Sequence, residues 1–289
     1  MKLCRFNDDR LGVVEDGAIE DGEIADVTGA LDVIPARGWP APAGDALIAN
    51  LEAVCARARE LAPSGARHAV ADVVLRSPVA NPNKVIGAPV NYHAHQDEAI
   101  KDRGVNFGRD IKTIDHYGLF LKNPVLVGPG DGVALRFTDR RNDHEVELAL
   151  IVGKTAKNVS RDDALDYVAA YAIGLDMTVR GTEERSLRKA IDGYSVLGPW
   201  LVTADEIADP DSLDFSIHVG DEERQNSNTS KLIFDCRKLI EYASQFYTLH
   251  PGDVFMTGTP EGVGPVVPGD RMHCYCEGIG RMDVAVRAA

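Results

Sequence analysis

The segment His144-Glu145-Val146-Glu147-Leu148-Ala149-Leu150-Ile151-Val152 constrains the fold of this chain more than any other. Side chains alternate faces along a strand, so Glu145 and Glu147 project to one side while Val146, Leu148, Leu150 and Val152 fill the other. The length and apolarity of the run place the strand inside a sheet. Two carboxylates side by side on an internal strand repel each other and lose hydration, which is costly unless something offsets it. A divalent cation is the simplest offset, and an all-oxygen donor set favours Mg²⁺, Mn²⁺ or Ca²⁺ over zinc. The same spacing also suits an edge strand whose glutamates face water. A third carboxylate shifts the balance: Asp176 ends the apolar run Tyr171-Ala172-Ile173-Gly174-Leu175, although Asp at a strand end is by itself most often a turn residue.

Composition narrows the function classes. The formal net charge of -14 argues against a nucleic-acid-binding surface, because a phosphate backbone would be repelled. It leaves an anionic small substrate open, since a metal ion and a few basic residues reverse the field inside one cleft. The five cysteines, Cys4, Cys55, Cys236, Cys274 and Cys276, form no C-x-x-C pair and read as reduced thiols. Cys274 and Cys276 sit two apart in an expected strand and so share a face. No stretch approaches the apolar length of a membrane span, and the N-terminus carries no apolar leader, so the protein is expected in the cytoplasm.

Three parts are expected along the 289 residues: a small N-terminal domain over 1–76, a linker over 77–83 and a catalytic domain over 84–289. The first part opens with strands at Leu3 to Phe6 and Leu11 to Glu15, separated by a turn at Asn7-Asp8-Asp9 and followed by one at Asp16-Gly17. A helix is expected over Asp45 to Leu61, with Leu47, Leu51, Val54 and Ala58 at helical spacing. The linker Ser77-Pro78-Val79-Ala80-Asn81-Pro82-Asn83 cannot continue a helix. Beyond it, strands are expected at 84–86, 145–152, 169–175, 199–203, 215–219, 253–257, 271–276 and 282–286. Helices are expected from about His93, over Arg161 to Ala169 after Ser160, and over Asp235 to Phe246. Strands with only occasional helices give an α+β, β-rich fold rather than a βαβ repeat.

Within the helix that starts near His93, His95 and Glu98 are three apart and share a face. A carboxylate that orients an imidazole is the usual arrangement for a general base acting on water. For an isolated pair a surface ion pair is the commoner arrangement, and His93 is a competitor on another face. Arg180 and Lys189 are candidates to bind a substrate carboxylate or an oxyanion, though neither stands out by itself. Tyr242, Phe246 and Tyr247 read as core or interface. The Gly-rich stretch 257–264 matches neither a P-loop nor a dinucleotide fingerprint.

Read together, these signals resemble the fumarylacetoacetate hydrolase family from Lys84 to the C-terminus. The resemblance rests on Asn91-Tyr92-x-x-His95-x-x-Glu98, Phe120-Leu121-Lys122 with Val127-Gly128-Pro129, Glu145-x-Glu147-Leu148 and Asp176-x-x-x-Arg180. It continues through Lys189-x-x-Asp192, Leu197-Gly198-Pro199-Trp200, Asn228-Thr229-Ser230 and Thr257-Gly258-Thr259-Pro260-x-Gly262-Val263-Gly264. It implies a mixed β-sandwich roll, a small N-terminal α+β domain and a homodimer. It also implies Mg²⁺ or Mn²⁺, with Ca²⁺ as a substitute, on Glu145, Glu147 and Asp176. His95 and Glu98 match a water-activating dyad on a lid helix, and Lys189 a lysine that stabilises developing negative charge. Arg180 matches a supporting arginine and Thr259 a residue near the substrate. Family members often carry Gln where Glu183 stands, which bears on specificity. The segment Gln96 to Tyr117 is long enough for a mobile lid.

The activity implied is hydrolysis of a C–C bond in a small 1,3-dicarbonyl oxo-acid of acylpyruvate or fumarylpyruvate type. Isomerisation or decarboxylation of an oxo-dienedioate through a metal-stabilised enolate is the alternative, and a non-catalytic metal or oxo-acid binder is a further one.

Overall fold

The computed structural model describes residues 1–15 and 22–289, so the turn expected at Asp16-Gly17 lies outside the described residues. The strand Val146–Val152 is buried along its whole length. It pairs antiparallel with Val168–Asp176 on one side and Val254–Met256 on the other. Its Val146, Leu148, Leu150 and Val152 face enters the larger hydrophobic core, while Ala149 and Ile151 enter a second one. Each fully buried Val, Leu or Ile side chain among them stabilises the fold by about 1.5–3 kcal/mol.

Around this strand the largest sheet runs Arg67–Ala69, Glu23–Asp26, Arg10–Glu15, Lys2–Phe6, Ser195–Thr203, Val168–Asp176, Val146–Val152, Val254–Met256, Val85–Gly87, Phe120–Lys122, with Leu75–Arg76 beside Lys2–Phe6. A second sheet runs Glu222–Asn228, Asp214–Val219, Arg271–Cys276, Gly280–Ala288, Val133–Leu135. Phe215, Ile217, Met272, Cys274 and Met282 of the second sheet share one core with Leu148, Leu150, Ile173 and Trp200 of the first. This is the strand-rich mixed α/β architecture expected. A third, small sheet sets Asn142–His144 between Thr178–Val179 and Gly264–Pro265, beneath the site described below.

The N-terminal segment has its own apolar cluster, in which Leu3, Leu11 and Ala25 of the strands meet Val54 and Ala58 of the helix Leu51–Leu61. Backbone pairing of Lys2–Phe6 with Ser195–Thr203 joins it to the rest. The helix expected over Asp45 to Leu61 is two, Ala46–Ala49 and Leu51–Leu61. Asn50 breaks it, its side-chain amide donating to the Ala46 carbonyl at 2.8 Å. The helix expected over Arg161 to Ala169 is a single 3-10 turn, Ala164–Tyr167. Ser160 does form a capping pair with Asp163, at 2.7 Å, but the following apolar run is drawn into the sheet as Val168–Asp176. Helices His93–Lys101 and Cys236–Phe246 stand where expected, the second capped by Asp235 accepting from the Lys238 amide. Among the described residues no helix is long and apolar enough to cross a membrane.

All five cysteines are buried free thiols. Burial pushes Cys4 and Cys276 up to about 12 and raises Cys55, Cys236 and Cys274 as well. A raised thiol stays protonated at pH 8 and is a poor nucleophile. A disulfide-exchange reagent at pH 8 is therefore expected to titrate essentially none of them in the native protein and all of them in denaturant. Rapid native labelling would contradict the burial.

Candidate metal centre

Register brings three carboxylates together. Val146 pairs with Leu175, and the Asp176 amide donates to the Glu145 carbonyl at 2.9 Å, so the end of one strand lies beside the start of its neighbour. One oxygen from each of Glu145, Glu147 and Asp176 lies within 4.8 Å of the others, and all three residues are buried.

Positive groups crowd two of them. Lys189 Nζ donates to Glu145 Oε2 at 2.6 Å, Asp176 Oδ2 at 2.7 Å and Thr178 Oγ1 at 2.7 Å. Arg180 donates from Nη2 to Glu145 Oε1 at 2.8 Å and from Nε to Asp143 Oδ2 at 2.7 Å. Lys122 pairs with Asp176 Oδ1 and donates to the Tyr194 carbonyl at 3.0 Å. Burial would raise Glu145, but Lys189 and Arg180 outweigh it and hold the carboxyl well below its ordinary range. Glu147 is different. Among the described residues its one direct donor is the Gly258 amide, at 2.7 Å. Burial, then the charges of Asp176 and Glu145, raise it well above the ordinary carboxylate range. A buried oxygen cluster in which one carboxylate makes no ion pair of its own among the described residues fits a hard divalent cation.

The helix His93–Lys101 places the dyad. His95 is buried, and its Nδ1 lies 3.1 Å from Glu98 Oε2; His93 is exposed. The other oxygen, Glu98 Oε1, accepts from the Gly262 amide at 3.0 Å. Gly262 holds φ +93, and a Cβ there would lie 1.8 Å from the Arg224 carbonyl oxygen, so only glycine permits this approach. The buried Asn91 fixes the start of the helix, its amide group donating to the Thr257 and Phe234 carbonyls at 2.7 and 2.8 Å. Thr259 Oγ1 donates to the Val146 carbonyl at 3.0 Å and accepts from Gln225 Nε2 at 2.8 Å.

A cavity of about 380 Å³ joins these parts. His95, Glu145, Glu147, Asp176, Arg180, Lys189 and Thr259 all line it, while Glu98 braces His95 from outside. Residues of the 96–117 segment, among them Val105, Asn106, Arg109 and Tyr117, form one wall. Glu183 is not among the lining residues: it pairs with Arg140 at 2.9 Å. Tyr242 packs against Phe234 and Phe246, outside the cavity. Sequence reasoning gave no role to Lys122, whose full burial depends on pairing of Phe120–Lys122 with Val85–Gly87. It also passed over Arg109, Arg185 and Arg188, which line the cavity and which nothing in the sequence separates from solvated surface cations.

Known proteins resemble this chain in sequence and in fold. The family described as Fumarylacetoacetate (FAA) hydrolase C-terminal matches residues 84–287. The maleylpyruvate hydrolase of Aquipseudomonas alcaligenes is 55% identical over 291 residues, covering 100% of both chains. The crystal structure of maleylpyruvate hydrolase from Sphingobium sp. SYK-6 in complex with manganese(II) ion and pyruvate superposes with a TM-score of 0.82 at 41% identity, covering 100% of both chains. The 5-carboxymethyl-2-hydroxymuconate delta-isomerase from Mycobacterium smegmatis superposes at 0.72 with 28% identity, again over 100% of both chains. The chain belongs to the fumarylacetoacetate hydrolase family.

Proposed function

We propose that this protein is a divalent-metal-dependent hydrolase that cleaves the C–C bond of an acylpyruvate, with maleylpyruvate as the first substrate to test. The observation that carries the reading is that the acidic cluster and the His95 imidazole open onto one cavity. Glu145, Glu147 and Asp176 would hold Mn²⁺ or Mg²⁺, with Ca²⁺ as a substitute. When bound, the ion supplies Lewis-acid polarisation of the substrate's oxo-carboxylate oxygens.

The chain's own groups do the rest. Glu98 holds His95 Nδ1, leaving Nε2 to take a proton from water. The hydroxide oxygen bonds to the acyl carbonyl carbon, and the bond from that carbon to the neighbouring methylene breaks. The electron pair leaves on the pyruvate enolate, which recovers a proton at carbon. Lys189, anchored by Glu145, Asp176 and Thr178, keeps an ammonium at the edge of the cluster where negative charge grows. Arg180 secures Glu145, and Thr259 ties the substrate-facing loop to the central strand.

The test offers maleylpyruvate, acetylpyruvate and oxaloacetate to Mn²⁺-loaded protein and resolves products by mass. Release of pyruvate with a second acid is expected. Carbon dioxide as the product, or rearrangement without change of mass, would move the protein to the decarboxylases or isomerases. A homodimer in the cytoplasm belongs to the same proposal. So does division into units 1–76, 77–83 and 84–289, which an apolar cluster built mainly from the N-terminal segment supports, while Cys4, Phe6, Val14 and Ile24 join the main core.

A further inference from the structure

Five cationic side chains line the cavity, and four of them hydrogen-bond to the protein. Arg180 and Lys189 serve the acidic cluster. Arg188 donates to the Glu183 and Val179 carbonyls at 2.9 and 3.4 Å, and Arg109 donates to the Thr182 carbonyl. Arg185 is the exception. Among the described residues its guanidinium has aromatic contacts and no hydrogen bond or ion pair: it lies 4.7 Å from the centroid of the Tyr117 ring and 5.6 Å from that of Phe120. Aromatic faces fix a guanidinium in place without using its N–H donors, so all of them stay available to a ligand. The carboxylates on the same wall, Asp110 and Glu184, are exposed.

Its place on the helix Arg185–Lys189 sets the spacing. Arg185 and Lys189 are four apart, one turn along the same face, and the Lys189 ammonium also lies 5.6 Å from the Phe120 centroid. Phe120 therefore floors both cations. Gly87 makes room for that ring, because a Cβ there would lie 2.2 Å from Phe120. A substrate with its oxo-carboxylate end at the cluster beside Lys189 places a second anion, a few carbons further on, against Arg185.

We propose that Arg185 is the specificity-determining residue of this site and takes the terminal carboxylate of a diacid, so that the enzyme prefers 2-oxo acids ending in carboxylate over those ending in methyl. The inference deepens the acylpyruvate reading and rests on it for the identity of the reaction, but not for the binding preference. The test is calorimetric, on Mn²⁺-loaded protein, with a matched six-carbon pair: 2-oxoadipate and 2-oxohexanoate. A charge-assisted pair of this kind predicts that wild type binds the diacid about 10–100-fold tighter. In Arg185→Met the ratio of the two affinities falls towards one, and Arg185→Lys recovers part of it. The kcat/KM ratio for maleylpyruvate over acetylpyruvate is expected to move in parallel. A general loss of folding lowers both ligands together and leaves the ratio intact, which would overturn the proposal, as would a wild-type ratio near one. Selective binding without turnover of any acylpyruvate would uphold Arg185 and defeat the hydrolase; turnover without selectivity would do the reverse.

Discussion

Glu147→Gln is expected to abolish tight Mn²⁺ binding by calorimetry and to lower turnover by at least about 10³-fold. A bound cation contributes several kcal/mol to charge stabilisation, and each 1.36 kcal/mol is about a factor of ten in rate. The same variant carries a second expectation of opposite sign. The metal-free Glu147 carboxyl is raised in the fold by burial and by Asp176 and Glu145. A group raised on folding contributes its stability below the unfolded value and loses it as pH rises through the folded one. At neutral pH the unfolded chain gains an ionisation that the fold opposes, which destabilises the metal-free protein; glutamine has no such proton to lose and keeps an oxygen for the Gly258 amide. In chelator, Glu147→Gln should unfold at higher urea than wild type, the gap narrowing towards pH 4. Undiminished Mn²⁺ affinity would take Glu147 out of the ligand set; a lower urea midpoint would mean that its charge is compensated by the protein alone.

His95→Ala is expected to lower kcat by about 10²–10⁴-fold, the usual contribution of a positioned base, while Mn²⁺ affinity stays within a few-fold. Among the described residues the imidazole hydrogen-bonds to Glu98 and to none of the three acidic donors. Glu98→Gln should cost a comparable factor: with its one oxygen on the Gly262 amide, the side-chain NH2 donates to Nδ1, which puts the ring proton on Nε2 and removes the base. Near-normal turnover in the alanine variant with metal bound would assign water activation elsewhere.

How much of this was legible in the chain follows from the range over which each signal acts. The strand Val146–Val152 and its paired glutamates were readable because alternation is local. So was His95 with Glu98, one helical turn apart. Asp176 was not readable alone: its meaning depends on a register that sets it beside Glu145. Lys122 acquires its role only when an edge strand carries it into the interior, and Arg185 only when Tyr117 and Phe120 stack on it. The strand Glu222–Asn228 is polar enough to pass for a loop, and pairing with Asp214–Val219 rather than propensity makes it a strand. At Ser160 a side-chain turn with Asp163 was present, but such a turn does not guarantee a helix after it.

The Gly-rich stretch after Met256 touches both halves of the chemistry within five residues: the Gly258 amide meets Glu147 and the Gly262 amide meets Glu98. On the proposed mechanism, ion grip and proton acceptor thus hang from one short span of main chain and are not tuned separately. Ions of different radius, for which oxygen distances differ by about 0.3 Å between Mg²⁺ and Ca²⁺, would then be felt at the imidazole as a change of aim. An ion can be tightly held here and still leave the enzyme slow.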